Sequence, residues 1–252
     1  MSKKLIRNSE NIEHDKITLF CFPFAGGGAS TYNNWVKMLD ERYTVCPIQL
    51  PGREDRIAES PYYDMNAMLN DLESEIMDNI DGKFAFWGHS MGGKIAYELE
   101  KRLEKKNKIA EWLFISASRA PCFPETDPIH GLPDLDFKHK LSKFDGTPKE
   151  IMENDDLLDF FLPMLRADFT MDETYCGDTS VKLQCPVSAF AGDCDKEATE
   201  KEMKAWSNYT KNEFEYRVFH GSHFYIKENE IPVLKAVADT LKRITKRKEG
   251  VL

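Results

Sequence analysis

Six short runs of mostly apolar residues recur along the chain, and longer stretches of mixed polarity separate them. The runs are continuous rather than alternating, which is typical of parallel strands that are covered on both faces of a sheet. They predict strands at 17–22, 43–48, 84–87, 112–117, 186–191 and 214–219.

Stretches with helical periodicity lie between these runs, at about residues 31–40, 64–80, 91–106, 197–209 and 230–247. A repeated alternation of strand and helix requires right-handed crossovers, so it predicts an α/β fold with a mostly parallel, doubly wound sheet. Single α/β domains often reach about 200–250 residues. We therefore expect one domain over residues 1–252.

One segment interrupts the alternation. Residues 121–183 contain no clear strand, begin with a proline-rich stretch and continue with helical patterns such as 157–165. About sixty residues is too long for an ordinary connection. Because ligands gather at the carboxyl ends of the strands in such sheets, we predict that this helical insertion is a lid over a site. A small helical subdomain that only packs is the alternative.

Composition narrows the function classes. The chain has 34 Lys and Arg against 43 Asp and Glu, a net charge of −9, whereas a general nucleic-acid binder needs a basic face. No apolar run approaches the ~18 residues of a membrane span, and the polar first dozen residues, which we expect to be loosely packed, lack a secretory signal. The six cysteines form no C-x-x-C pair, so we expect reduced thiols in a cytoplasmic protein.

The most informative motif is Gly88-His89-Ser90-Met91-Gly92, which lies between a predicted strand and a predicted helix. A G-x-S-x-G sequence in this setting is typical of a nucleophile elbow, in which glycines two residues before and after the serine permit a tight turn. The turn lifts the Ser90 hydroxyl clear of the sheet and directs the Met91 N–H to the same point. This context predicts that Ser90 is a nucleophile.

A serine hydroxyl near its ordinary pKa is a poor nucleophile, so it needs a neighbouring base. Of the six histidines, His220 and His223 follow the last predicted strand, from which the base comes in the chain order Ser–Asp–His. His223 is preferred, because it follows a Gly-Ser turn, whereas His220 extends the strand. His89, inside the elbow, is expected to pack at the turn.

The third member of such a site orients the imidazole and stabilises its cation. Two carboxylates, Asp193 and Asp195, follow the fifth predicted strand. Asp195 comes after a turn that begins at Gly192 and is preferred, and Asp193 is the alternative. The residue that is not catalytic is expected to bond its own turn.

A glycine-rich turn, Phe24-Ala25-Gly26-Gly27-Gly28, follows the first predicted strand. Such a turn suits either a phosphate site or the second donor of an oxyanion hole. Neither G-x-G-x-x-G nor G-x-x-x-x-G-K-[ST] fits the sequence here. Together with the elbow, the turn predicts an oxyanion hole formed by the N–H groups of Ala25 and Met91. This chemistry requires neither a metal nor a bound cofactor.

Five motifs together resemble the stand-alone (type II) thioesterases of polyketide and nonribosomal-peptide assembly lines, within the α/β-hydrolases. They are FPFAGGG (22–28), QLPGRE (49–54), GHSMGG (88–93), LPMLRADF (162–169) and GSHF (221–224), and they run in family order over nearly the whole chain. The resemblance places Ser90, Asp195 and His223 on the family's triad. Two departures are Ser222, where a second glycine is more frequent, and residues 196–199, which lack a familiar aliphatic side chain.

The resemblance implies an α/β-hydrolase fold and hydrolysis of acyl groups from the phosphopantetheine arm of a carrier protein, for editing or release. The phosphopantetheine belongs to the carrier, a transient partner, and we expect a cytoplasmic monomer that binds neither nucleic acid nor membrane. Four apolar lid residues are predicted to line an acyl channel, with ordinary packing as the alternative: Leu157, Phe161, Leu165 and Phe169. Three arginines are candidates for contact with an acidic carrier, with structural ion pairs as the safer interpretation: Arg53, Arg119 and Arg166.

The same motifs leave other functions open. Medium-chain acyl thioesterases of fatty-acid synthesis share the pattern, and the same triad also serves acyl transfer or simple ester hydrolysis. A non-catalytic carrier-docking protein that retained the fold is a further alternative, against which a complete triad argues.

Overall fold

A single parallel sheet lies at the centre of the molecule. The structure is a computed structural model that describes residues 4–80, 82–144, 146 and 149–248. Its strands are β1 (Ile17–Phe22), β2 (Tyr43–Pro47), β3 (Lys83–His89), β4 (Leu113–Ser116), β5 (Val187–Gly192) and β6 (Phe214–Phe219). Within the described residues every strand pairing of the sheet is parallel, in the spatial order β2-β1-β3-β4-β5-β6. The predicted α/β fold is confirmed.

Helices connect the strands. They are α1 (Asn33–Met38), α2 (Met65–Asn79), α3 (Met91–Glu104), α4 (Asp134–Leu141), α5 (Lys149–Met152), α6 (Asp155–Glu173), α7 (Glu200–Lys204), α8 (Tyr225–Glu228) and α9 (Glu230–Lys248). The helix predicted over 197–209 is α7 followed by a 3-10 turn at Ala205–Tyr209. It starts only at residue 200 because Thr199 and Glu202 form a capping box there.

Both faces of the sheet are covered, which explains the continuous apolar runs. Along β1, Phe20 and Phe22 pack into the cluster beneath α2 and α3, where Ile95 also lies. Leu19 and Cys21 point to the opposite face and pack into the cluster that α1 and α9 close. Successive strand residues therefore enter two different apolar layers, as a doubly wound sheet requires.

The amino-terminal segment is packed, so the expectation of a loose first dozen residues is wrong for the part that the structure describes. Leu5 and Ile6 are buried, and Ile6 forms a β-bridge with Ile48. The Glu75 carboxylate accepts hydrogen bonds from both N–H groups, of Leu5 and Ile6, at 2.9 Å. These contacts hold the segment against the sheet, together with the hydrogen bonds from the Arg7 N–H to the Pro47 carbonyl at 2.9 Å and from the Gln49 N–H to the Leu5 carbonyl at 2.7 Å.

Between β4 and β5 the chain forms α4, α5 and α6, which have a small apolar core of their own. This core includes Ile129, Phe137, Leu141, Leu158 and Leu162. The Asn154 side chain caps α6 by accepting a hydrogen bond from the Leu157 N–H at 3.1 Å. A lid role for residues 121–183 stays a prediction.

No helix within the described residues combines the length and the apolar character that crossing a membrane requires. The six cysteines all lie in the described part of the chain and are free thiols.

A buried carboxyl group lies at the far end of α3 from the elbow. Glu100 is fully buried and accepts a hydrogen bond from the Ala110 N–H at 2.9 Å, while its Oε2 atom has no partner among the described residues. Burial raises the pKa of Glu100 from 4.5 to about 8. The folded protein therefore holds a proton here at neutral pH.

This proton makes folding stability depend on pH. Between pH 4.5 and about 8 the folded state binds a proton at Glu100 that the unfolded chain releases, so stability falls as pH rises through that range. Glu100→Gln keeps the acceptor for Ala110 without the ionisation, so we expect a smaller decline. Thermal unfolding midpoints measured across this range test it, with the exposed Glu41→Gln as control. Equal declines of the unfolding midpoint in both variants and in the parent protein would contradict the assignment of this pH dependence to Glu100.

Candidate active site

The turn between β3 and α3 holds Ser90 in an unusual backbone conformation, with φ 54° and ψ −121°. A Cβ atom on Gly88 would lie 2.1 Å from the Gly92 carbonyl oxygen, so only glycine fits this position of the turn. The Ser90 N–H donates to the Ser116 carbonyl on β4 at 2.8 Å. The sheet thus fixes a strained serine at the carboxyl end of its strands.

Ser90, His223 and Asp195 form a hydrogen-bonded row. The Ser90 Oγ atom lies 3.0 Å from His223 Nε2, and His223 Nδ1 lies 3.0 Å from Asp195 Oδ2. Because the carboxylate accepts the Nδ1 proton, Nε2 is left as an acceptor for the serine hydroxyl. The structure brings together all three residues that the sequence predicted, although 133 positions separate the serine from the histidine.

Asp195 is held by the loop in which it lies. Its side chain is fully buried, and its Oδ1 atom also accepts hydrogen bonds from the N–H groups of Glu197 at 2.8 Å and Ala198 at 3.1 Å. Backbone donors on one side and an imidazole on the other orient the carboxylate without a cationic side chain.

The two alternative residues pair with each other instead. His220 Nδ1 lies 3.0 Å from Asp193 Oδ2, and the Gly221 N–H donates to Asp193 Oδ1 at 2.9 Å. These bonds, led by the one from Gly221, lower the pKa of Asp193 to about 2, and Asp193 in turn raises the pKa of His220. The His220 side chain is 84% exposed, so this second Asp–His pair lies at the surface, and no bond connects it to Ser90.

His89 lies beneath the row, as expected of a packing residue. It is fully buried, its ring centroid is 5.4 Å from that of His223, and its Nδ1 atom is 2.8 Å from Ser116 Oγ. Burial, followed by the nearby charges of His223 and Lys227, lowers the pKa of His89 well below its ordinary value. His89 is therefore neutral and does not compete with His223 for protons.

The glycine-rich turn after β1 is held by a buried ion pair that the sequence did not reveal. Arg53 donates to both oxygens of Asp168 at 2.6 and 2.7 Å, and the two side chains are at most 4% exposed. Asp168 Oδ2 also accepts the Gly26 N–H at 2.7 Å, and Arg53 donates to the Gly27 carbonyl at 3.0 Å. One ion pair thus joins the turn, the segment after β2 and helix α6.

This arrangement leaves one N–H of the turn available. The Ala25 N–H has no protein acceptor among the described residues. Helix α3 begins at Met91, and the Ser90 side chain does not cap it. Free donors from a turn and from a helix N-terminus suit a developing negative charge. The oxyanion role of both residues stays a prediction.

The glycine-rich turn is not arranged as a phosphate site. Its Gly26 N–H is already bonded to a carboxylate, and the Leu165 Cδ2 atom lies 2.8 Å from where a Cβ on Gly26 would be. A phosphate placed there would meet the charge of Asp168.

A cavity of about 280 Å3 opens beside Ser90 and His223. Of the four predicted lid residues, only Phe169 lies on its wall. Leu165 is buried against the glycine-rich turn, and Leu157 is 42% exposed. Phe161 is partly buried against the core of the insertion. Leu157 directly precedes the buried Leu158, and Phe161 directly precedes the buried Leu162. Because successive residues of a helix point in different directions, Leu157 and Phe161 face away from the buried side of α6.

The three candidate arginines make structural contacts. Arg53 is buried in the pair with Asp168, and Arg119 pairs with Glu125 on the cavity wall. Arg166 donates to the carbonyl of Leu132 at 2.9 Å and to Asp134 at 2.7 Å. The interpretation as structural ion pairs therefore describes all three better than a free basic surface does.

The chain resembles known proteins over almost its whole length. A family model described as the thioesterase domain matches residues 17–245. The chain is 37% identical over 231 residues to the linear gramicidin dehydrogenase LgrE of Brevibacillus parabrevis, covering 90% of this chain and 88% of that protein. It is 35% identical over 231 residues to the gramicidin S biosynthesis protein GrsT of Aneurinibacillus migulanus, covering 91% and 90%.

A solved structure also matches the fold of this chain. The type II thioesterase BorB from the borrelidin biosynthetic cluster superimposes with a TM-score of 0.86 at 34% sequence identity. The match covers 96% of this chain and 99% of that one, so it includes the sheet, the insertion and the site.

The Arg53–Asp168 pair gives a prediction for stability. Asp168→Asn leaves the Arg53 charge buried without its partner, so we expect the free energy of unfolding to fall by about 3 kcal/mol or more. Asp134→Asn removes an exposed partner of Arg166 and should cost less than about 1 kcal/mol. Urea denaturation of both variants measures the difference. Equal losses in the free energy of unfolding would show that the buried ion pair stabilises the fold no more than the exposed one does.

Proposed function

The chain belongs to the thioesterase family, and we propose that it hydrolyses acyl groups from the phosphopantetheine arm of carrier proteins with Ser90 as the nucleophile. The observation that carries this proposal is the hydrogen-bonded row of Ser90, His223 and Asp195 beside a cavity. Family membership indicates that the bond to be cleaved is a thioester, and the row of Ser90, His223 and Asp195 supplies the groups that cleave it.

The chemistry follows from the geometry. His223 takes the hydroxyl proton as Ser90 attacks the thioester carbonyl, and Asp195 stabilises the imidazolium. The N–H groups of Ala25 and Met91 hold the oxyanion, and each such donor is worth about 3 kcal/mol of the barrier. The imidazolium then protonates the departing thiolate, and a water activated by the neutral His223 hydrolyses the acyl-serine. The chain supplies each of these groups.

The names of the similar proteins support a carrier-bound substrate. One is a gramicidin S biosynthesis protein, and another is a type II thioesterase of a biosynthetic cluster. We propose that this chain acts as a cytoplasmic monomer that meets its carrier transiently, either to edit stalled chains or to release products. Both tasks use the same cleavage.

A third similar protein bears the name of a dehydrogenase. The residues here favour hydrolysis over dinucleotide binding, because the glycine-rich turn is bonded to Asp168 and its sequence does not fit G-x-G-x-x-G. The strained serine at the elbow likewise fits acyl transfer to a hydroxyl rather than hydride transfer.

Removal of the nucleophile tests the proposal. Ser90→Ala should lower turnover of an acylated carrier protein by about a millionfold, because no other hydroxyl in the row attacks the thioester. Mass spectrometry of the carrier before and after incubation measures the loss of the acyl group. Retention of full hydrolysis by Ser90→Ala would end the proposed mechanism.

The two Asp–His pairs give a matched comparison. Asp195→Asn should reduce kcat by about 10⁴-fold, because an amide in place of the carboxylate favours the wrong tautomer of His223. Asp193→Asn keeps an acceptor for the Gly221 N–H and weakens the surface pair with His220, so kcat should stay within a few-fold of the parent value. Steady-state kinetics on an acyl-pantetheine thioester distinguishes them. A larger loss in Asp193→Asn would reverse the assignment of the acid.

A further inference from the structure

Ser116, the last residue of β4, forms hydrogen bonds with two different parts of the active site. Its backbone carbonyl accepts the Ser90 N–H at 2.8 Å. Its Oγ atom lies 2.8 Å from His89 Nδ1 in the elbow and 2.5 Å from the hydroxyl oxygen of Tyr225. One residue therefore contacts both the turn that carries the nucleophile and the segment that follows the base.

Tyr225 is closely connected to His223. It comes two residues later and begins helix α8. Its ring stacks on that of Phe219, with the centroids 5.5 Å apart and an angle of 5° between the planes. On another side, its Cδ1 atom lies 3.1 Å from where a Cβ on Gly192 would be. The ring is thus packed in place with its hydroxyl directed at Ser116, and a displacement of Tyr225 would move the His223 backbone with it.

The side chains of Ser116, His89 and Tyr225 are all fully buried. Burial lowers the pKa of His89 and raises the pKa of Tyr225, so both groups are uncharged at neutral pH. Because water does not reach them, these polar groups depend on one another for hydrogen bonds. The contact is neutral, so it acts on the neighbouring residues through position rather than through charge.

The nucleophile and the base come from different parts of the sheet. Ser90 follows β3 and His223 follows β6, and strands β4 and β5 lie between these two. Asp195 and Asp193 bond the loop after β6 to the loop after β5. Ser116 lies at the end of β4, between that pair of loops and the elbow, so it is placed to connect them.

We propose that Ser116 is a positioning residue that, through Tyr225, holds His223 at hydrogen-bonding distance from the nucleophile. This inference rests on the proposed function, in which His223 takes the proton of Ser90. The two atoms of that transfer are 3.0 Å apart, and the transfer needs a distance of about 2.6–3.2 Å. A misplacement of about 1 Å can slow a reaction by about 100-fold.

Removal of the hydroxyl tests the inference. Ser116→Ala leaves the Tyr225 hydroxyl and His89 Nδ1 buried without this partner, so the segment that carries His223 should shift. We expect kcat on an acyl-pantetheine thioester to fall by about 10- to 100-fold, with KM changed less than about threefold. The pH dependence of kcat/KM should stay the same, because the contact is neutral. Labelling with a fluorophosphonate counts the reactive serines, so that kcat refers to folded protein only.

Tyr225→Phe removes the same hydrogen bond from the other side and keeps the packing of the ring. We expect a loss of kcat similar to that of Ser116→Ala. The double variant should lose little more than either single variant, because all three lack one and the same hydrogen bond. Losses that multiply in the double variant would show that the two hydroxyls act independently, which overturns the inference.

Ser188→Ala is the matched control. Ser188 is also a fully buried strand serine that bonds an aromatic side chain, since its Oγ accepts from Trp112 Nε1 at 2.8 Å. It lies near the start of β5, at the opposite end of the strands from the site. We expect its loss to lower the thermal unfolding midpoint but to keep kcat within about twofold.

Three results would contradict the positioning role. Equal losses of kcat in Ser188→Ala and Ser116→Ala would indicate general destabilisation. A parent-like kcat in Ser116→Ala would show that the hydroxyl has no part in the reaction. A shifted midpoint in the pH dependence of kcat/KM would mean that Ser116 acts on the charge of His223 instead of its position.

These outcomes are separable from failure of the proposed function. If the parent protein hydrolyses no acyl thioester, or if Ser90→Ala hydrolyses it at the parent rate, the thioesterase mechanism itself fails. If hydrolysis depends on Ser90 while Ser116→Ala keeps the parent kcat, only the positioning role fails.

Discussion

The buried pair of Arg53 and Asp168 is the interaction on which the geometry of the site depends. Asp168 comes from the middle of α6, Arg53 from the segment after β2, and both bond the glycine-rich turn that carries Ala25. Two charges removed from water are tolerated because each has several hydrogen-bonding partners. The turn is thereby held by side chains from two distant parts of the chain, and the Ala25 N–H keeps its direction before any substrate binds. Donors that are oriented in advance need no reorganisation during the reaction.

Burial, rather than residue type, separates the two Asp–His pairs that follow β5 and β6. The hydrogen bonds of the two pairs have similar lengths, the two acids are two residues apart in sequence, and the two histidines are three residues apart. Asp195 is fully buried and bonded by backbone donors, whereas Asp193 and His220 are exposed to water, which screens their attraction. A carboxylate that is excluded from water stabilises a developing imidazolium cation much more than a solvated carboxylate does. The fold therefore makes one buried row with Ser90 from two nearly equivalent sets of residues.

The sheet and the elbow were predictable from sequence because their signals are local, whereas the sequence left Asp193 and His220 as alternatives for the acid and the base. Each strand is a continuous apolar run, since both faces are covered, and the elbow is a five-residue motif between a strand and a helix. The partner of Arg53 was not predictable in the same way, because Asp168 lies 115 residues later and an acid within a helix usually faces water. For the apolar residues of α6, periodicity predicts an amphipathic helix but does not show which apolar position reaches the cavity.

The anchoring of α6 also limits how a pantetheine arm gains entry. Swinging this helix outward as a rigid body would separate Asp168 from Arg53 and Asp172 from Lys94. Such a motion would also break the hydrogen bonds of Asp168 to the Gly26 N–H and of Arg53 to the Gly27 carbonyl, so it is costly. These ion pairs therefore hold helix α6 in place beside the cavity. Entry past the shorter helix α4 costs less, because its ion pairs, Lys138 with Asp159 and Lys140 with Asp127, each include an exposed carboxylate that exchanges readily for water.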